Sequence, residues 1–197
     1  MDSDERQSII EIWKTIVGVQ QHFNDIAMKI RGLFITIAVA VAAAQGFLLE
    51  KRLSVSIGPV TVLFATFLPL IGIVATYLFY FIDRYWYHKL LLGAVLQGGM
   101  IEEKYAQELP ELGLGKKISD QSPVELKSWL GRRIANLVVS DDRYKKNNKL
   151  HSDAKIELFY KSIVLLFFLW FIVTVLFAGV IVDQISLFEF LARHALK

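Results

Sequence analysis

Gly32–Leu49 (GLFITIAVAVAAAQGFLL) is a run of 18 residues without a charge, closed by Arg31 before it and Glu50 after it. Two further runs repeat the pattern: Leu53–Ile82, 30 residues between Arg52 and Asp83, and Ser162–Val182, 21 residues between Lys161 and Asp183. A hydrocarbon core about 30 Å thick is crossed by about 20 apolar helical residues. Only helices and closed barrels satisfy every backbone polar group at that depth. The expected fold is therefore all-α, a helical membrane protein with three transmembrane helices.

The rest of the composition agrees. Hydrophobic residues make up 54% of the 197 and charged residues 21%, and the charges are segregated between the apolar runs. The chain opens Met1-Asp2-Ser3-Asp4-Glu5 with no basic segment ahead of an apolar one, which is not the pattern of a cleavable signal. Cysteine is absent, which excludes disulfides and thiolate metal sites.

Of the 22 Lys and Arg, 18 lie before the first run or between the second and third. The positive-inside rule then places the N-terminus and the 83–161 region in the cytoplasm. The short loop at Lys51-Arg52 and the C-terminus then lie outside. The expected organisation is a cytoplasmic amphipathic helix (1–31), a transmembrane hairpin (32–82, with helices at 32–49 and 59–82), a cytoplasmic helical region (83–158), a third transmembrane helix (159–182) and an external amphipathic tail (183–197).

Ile9, Trp13, Ile16, Gln20, Phe23, Ala27 and Ile30 are spaced alternately by four and three, an a/d seam with one polar interruption. Two partners fit this seam: the protein's own cytoplasmic helices, or the same seam on another protomer. The rhythm continues into the first span, predicting one helix over about residues 6–49. Span 1 is Ala-rich and allows close helix approach. In span 2, Ile57-Gly58-Pro59 marks a turn before the helix starts, and the interior Pro69 is a candidate hinge for a gate. No strand alternation of useful length is read anywhere. Residues 110–122 read as a loop, and Ser122-Pro123-Val124-Glu125 as a capping box opening a helix. Glu102-Glu103 reads as a solvated face.

No catalytic set, cofactor site or metal site emerges. Gly113-Leu-Gly-Lys-Lys117 lacks the first glycine and the Ser/Thr of a phosphate loop. His22 and Asp25 share a helix face, where they form either a metal pair or a polar collar with Asn24; the collar is the simpler reading. Arg132, Arg133, Arg143, Lys145, Lys146 and Lys149 form a basic stretch with Trp129 and Tyr144 nearby. It suits a nucleotide or oligonucleotide, anionic lipid, or no ligand beyond the charge bias itself.

A cytoplasmic helix, two spans with a short outer loop and a following helical region, with Gln21-His-Phe-Asn-Asp25 and Lys29-Ile-Arg31 leading into span 1, resemble the SLATT-type membrane effectors of bacterial conflict systems. The likeness covers roughly residues 6–110; the third span and tail depart from a two-span plan. It implies an antiviral-defence protein encoded beside a nucleotide-synthesising or reverse-transcribing enzyme, which oligomerises and opens a pore on a nucleotide or nucleic-acid signal. The expectation is a non-enzymatic homo-oligomer, taken as a tetramer, embedded in membrane lipid and without a small-molecule substrate. Thr36, Val41, Gln45, His22, Asn24 and Asp25 are its candidate pore positions. The alternative is a non-conducting anchor whose cytoplasmic helices dock a soluble partner.

Overall fold

The computed structural model describes residues 1–182 and 185–195. Asp183, Gln184, Leu196 and Lys197 of the expected external tail lie outside the described residues. The fold is all-α in class. Three helical stretches, Ser3–Lys51, Phe64–Lys104 and Ser152–Gly179, are long and apolar enough to cross a membrane, with mean hydropathies of 2.1, 2.0 and 2.6 in their most apolar windows. The chain divides into two compact units, one of residues 1–32 and 80–159, the other of residues 33–79 and 160–197. Helix α1 (Ser3–Lys51) and helix α7 (Ser152–Thr174) contribute to both.

The first unit holds 33 of the 41 charged residues. A π-helical turn, Ile82–Tyr87, leads into α3 (His88–Lys104). A 3-10 turn at Pro110–Leu112 and helix α4 (Leu114–Gln121) follow, where the sequence suggested a loop. Ser122 closes α4 rather than opening a helix, and Val124–Glu125 is a short strand, β3, paired with β4 (Lys149–Leu150). The next helix, α5 (Trp129–Val138), starts later, with the Ser128 hydroxyl accepting from the Gly131 N–H at 3.4 Å. The expected capping box fails because Ser122 ends α4 while Val124 and Glu125 are used in the β3–β4 ladder. Helix α6 (Asp142–Asn147) is capped by Asp141 and ends at Asn148 in the left-handed region.

The α1 seam is used inside the chain. Ile9 packs with Leu109 and Leu112, joined by Trp13, Ile101 and Tyr105. Gln20 donates to the Ala94 carbonyl at 3.0 Å. Gly98 leaves room for it, since a Cβ there would stand 2.7 Å from the Gln20 amide nitrogen. Glu102 is buried rather than solvated. Its carboxylate accepts from Trp13 Nε1 (3.1 Å), Gly115 N–H (2.9 Å) and Lys116 N–H (3.1 Å). It thereby fills the open N–H groups at the start of α4 that a helix terminus must satisfy. A second cluster, Ala135, Val139, Tyr144, Leu150 and Ala154, joins α5, α6 and the first turn of α7.

The second unit is built on close apolar packing. Phe34 is enclosed by Phe79 and Tyr160, ring centroids 5.5 and 5.1 Å away. Gly72 on α2 (Leu68–Phe81) lets the Phe167 ring approach to where a Cβ would meet it at 2.8 Å. The apolar run 53–82 is not helical throughout. Ser54–Ile57 (β1) and Val60–Leu63 (β2) form a hairpin with Ser54 opposite Leu63. Gly58 has φ 60°, and with Pro59 it supplies a positive then a fixed negative φ, as a type II′ turn requires. β2 pairs with β5 (Val180–Val182), and β5 with β6 (Ile185–Ser186), giving the order β1-β2-β5-β6. Helix α8 (Leu187–Ala195) follows.

The sequence readings of spans 2 and 3 are corrected accordingly. The second helix begins with a 3-10 turn at Phe64 rather than at Pro59, and the third stops at Gly179 rather than 182. The alternation Ser-Val-Ser-Ile-Gly-Pro-Val-Thr-Val carried the strand signal, and the overall apolarity of the run masked it. Pro69 is the second residue of α2, directly after the 3-10 turn Phe64–Phe67, so it stands near the start of the second helical stretch rather than well inside it.

Candidate functional site

The irregular segment of the second long helix is the π-helical turn Ile82–Tyr87. Such turns insert an extra residue into the helical ladder and are frequent at functional sites. This one carries the adjacent residues Asp83 and Arg84, and each serves a different neighbour. Arg31 of α1 grips Asp83 with a two-pronged contact, Nε to Oδ2 at 2.7 Å and Nη2 to Oδ1 at 3.1 Å. Asp83 is 0% exposed, so the fork supplies the compensation a buried carboxylate needs. Arg84 faces Glu157 of α7 at 3.4 Å and also donates to the Tyr80 hydroxyl, with the guanidinium over the Tyr85 ring.

One turn later, His88 Nε2 lies 3.2 Å from Asp153 of α7, and Asp153 is 3.0 Å from Arg143, which also pairs with Asp141. Burial pushes the Asp141 carboxyl up, but hydrogen bonds and charge from Arg143 outweigh it and hold it below the ordinary carboxylate value. Arg31, Asp83, Arg84, Glu157, Asp153 and Arg143, with the His88 imidazole beside Asp153, thus form a polar collar tying α1, the second long helix, α6 and α7 together within one unit. Removing either member of a buried pair strands the other charge, so the collar favours a single mutual arrangement of these helices.

Beside the collar lies a cleft of about 300 Å³ lined by Asn24, Arg31, His88, Ser152, Lys155 and Phe159 among others. A larger groove of about 830 Å³ runs between α3 and α4 over Leu96, Gly99 and Met100, with Lys116, Lys117 and Asp120 at its rim.

The residues singled out from sequence are dispersed. His22, Asn24 and Asp25 are exposed on α1, Asn24 at the small cleft. Thr36 and Gln45 are nine positions apart, half a helical turn, and occupy opposite faces of α1. Thr36 is exposed, whereas Gln45 is 1% exposed and its amide donates to Thr174 Oγ1 at 3.1 Å. Val41 is half-buried on the Gln45 side. One pore wall cannot take both faces. Arg132 and Arg133 are exposed on α5, while Arg143 is engaged in the collar and Lys145 faces Asp142 at 3.7 Å. Lys146 and Lys149 are exposed.

Sequence reasoning passed over Asp83, Arg84 and Glu157 as a constellation. A signal was present: opposite charges stand at the same end of all three apolar runs. No protein-family model matches the chain, and neither a curated protein nor a solved structure is significantly similar to it.

Proposed function

We propose that this chain is a homo-oligomeric pore of the bacterial inner membrane, with the 1–31 and 83–158 segments in the cytoplasm, acting as a membrane effector of antiviral defence. The cytoplasmic helices respond to a nucleotide, nucleic-acid or protein signal, and the collar at Asp83 and Arg84 transmits it to the spans. The observation that carries this reading is the division of α1 into two faces. Phe34 and Gln45 turn inward and are buried, with Val41 half-buried beside them, while Gly32, Thr36, Ala40 and Ala44, each four positions on, are exposed. A Cβ at Gly32 would meet no atom within 4 Å. Small residues at this spacing permit close helix–helix approach in lipid, and Thr36 brings a hydroxyl to that face.

The test is expression of the full chain with a voltage-sensitive dye, beside Ala40→Leu and a Thr36→Cys variant of this cysteine-free protein. Depolarisation that Ala40→Leu abolishes at equal membrane abundance, with disulfide-linked dimers of Thr36→Cys, is the expected result. Membrane-inserted protein that neither cross-links nor depolarises with its co-expressed neighbouring gene products overturns it. The second reading, a non-conducting anchor that docks a soluble partner, is favoured by one feature: Gln45, the uncharged amide in span 1, is closed against Thr174 rather than open to a lumen.

A further inference from the structure

We infer that helix α5 is an interfacial anchor that docks on the anionic leaflet beside the spans through Trp129, Leu130, Leu137, Arg132 and Arg133. Its inner side is fully used. Ala135 and Val139 are buried in the cluster that includes Ala154, with Val138 and Leu158 packed against it. Its outer side is not covered by any of the described residues: Trp129 is 69% exposed, Leu130 57% and Leu137 69%. These three fall within an arc of about 100° on the helical wheel, and Arg133 falls between them. Arg132 and Asn136 border that arc on the polar side. An apolar sector of Trp and Leu with flanking arginines is the pattern of a helix lying in a bilayer interface. The Arg133 guanidinium stands over the Trp129 ring, 5.8 Å from its centroid, which joins the cation to the aromatic that would sit at headgroup level.

The height of this helix favours lipid over any other occupant. Leu158 precedes the apolar run at Ser162 by four residues and Ala154 by eight, so the α7 residues of this cluster stand about 6–12 Å before that run, measured along the α7 axis. Headgroups occupy the first several ångströms outside the hydrocarbon. A basic and aromatic face at that level meets anionic phosphates directly, and each basic residue near such a surface adds to the attraction. This inference rests on α7 being a span and not on conduction, so it survives if the pore reading fails.

The test uses full-length protein in nanodiscs of phosphatidylcholine alone or with one third phosphatidylglycerol. Both leaflets are then alike, so an error in the proposed orientation does not affect the result. An environment-sensitive dye is placed at Leu137→Cys and, for reference, at Lys117→Cys on α4. Iodide quenching at position 137 is expected to fall at least about fivefold on adding the anionic lipid, with no change at 117. Arg132→Glu/Arg133→Glu should reverse that fall, and Leu130→Ser, which keeps both arginines, should weaken it, with circular dichroism confirming the helix content of each. Quenching at 137 equal to that at 117 in anionic nanodiscs overturns the inference and assigns the face to a protein partner. Shielding that is the same in both lipids overturns the role of the arginines.

Discussion

The unit of residues 1–32 and 80–159 and the unit of residues 33–79 and 160–197 solve the same problem, holding helices together, with different interactions. The first closes its buried polar groups with charges: Arg31 on Asp83, Arg84 beside Glu157, and Glu102 across the start of α4. The second has few polar side chains to close and relies more on shape: Gly72 under Phe167 and Phe34 between Phe79 and Tyr160, with Gln45 bonded to the Thr174 hydroxyl and Thr76 to the Gly72 carbonyl. The surrounding solvent explains the contrast. Beside water a charge pair can be assembled from hydrated partners, whereas in lipid an ion is expensive and apolar packing has no hydrophobic drive, so contact area and small residues decide association.

On this contrast, the largest single effect falls on the collar. Asp83→Ala leaves the Arg31 guanidinium without its fork. It should cost about 2–3 kcal/mol, below the full cost of breaking a buried pair because Arg31 keeps some access to water. Thermal unfolding in nanodiscs measures it, and Arg31→Met in the same background should recover part of the loss. An Asp83→Ala protein as stable as the parent would break the comparison. Next comes Gly72→Leu, which forces side-chain atoms into the Phe167 ring and should cost about 1–3 kcal/mol. Phe167→Ala, alone damaging through the cavity it leaves, should be less harmful when combined with Gly72→Leu; a double-mutant cycle reads the coupling, and additivity would remove shape as the explanation.

Glu102→Gln keeps the size of the side chain and one acceptor oxygen but removes the charge that Gly115, Lys116 and Trp13 share. A loss of about 1–2 kcal/mol is expected, with faster hydrogen exchange confined to the Gly115 and Lys116 amides. The smallest effect is the pH response of Asp141. Its folded pKa is depressed, so its contribution is present above about pH 4 and disappears as pH falls through the lower folded value. Asp141→Asn keeps an acceptor for the cap and should remove under about 1 kcal/mol of the difference in stability between pH 5 and pH 3, because Arg143 is largely exposed. Melting curves of the two proteins at those pH values decide it.

Much of this molecule is legible in its sequence. The three apolar runs declared themselves, the 4-3 spacing from Ile9 to Ile30 marked the buried side of α1, and the helical tail appears as α8 over the described residues. What was misread shares one cause. The β1–β2 hairpin lies inside an apolar run and owes its lasting register to β5, more than 100 residues away. Ser122–Glu125 has the local pattern of a helix start but is claimed by β4. Glu102 looks like half of a solvated acidic pair until α4 and Trp13 are seen to converge on it.

The sequence alone determined that the chain is helical and membrane-embedded, because hydrophobic length and charge segregation are properties of composition along the chain and need no partner to take effect. Only the tertiary structure decided which charges meet, which face of α1 is filled, and where helix gives way to strand. Those outcomes depend on which distant groups arrive at hydrogen-bonding or van der Waals distance, and the free energy of a buried ion pair or a close glycine contact exists only once both sides are in place.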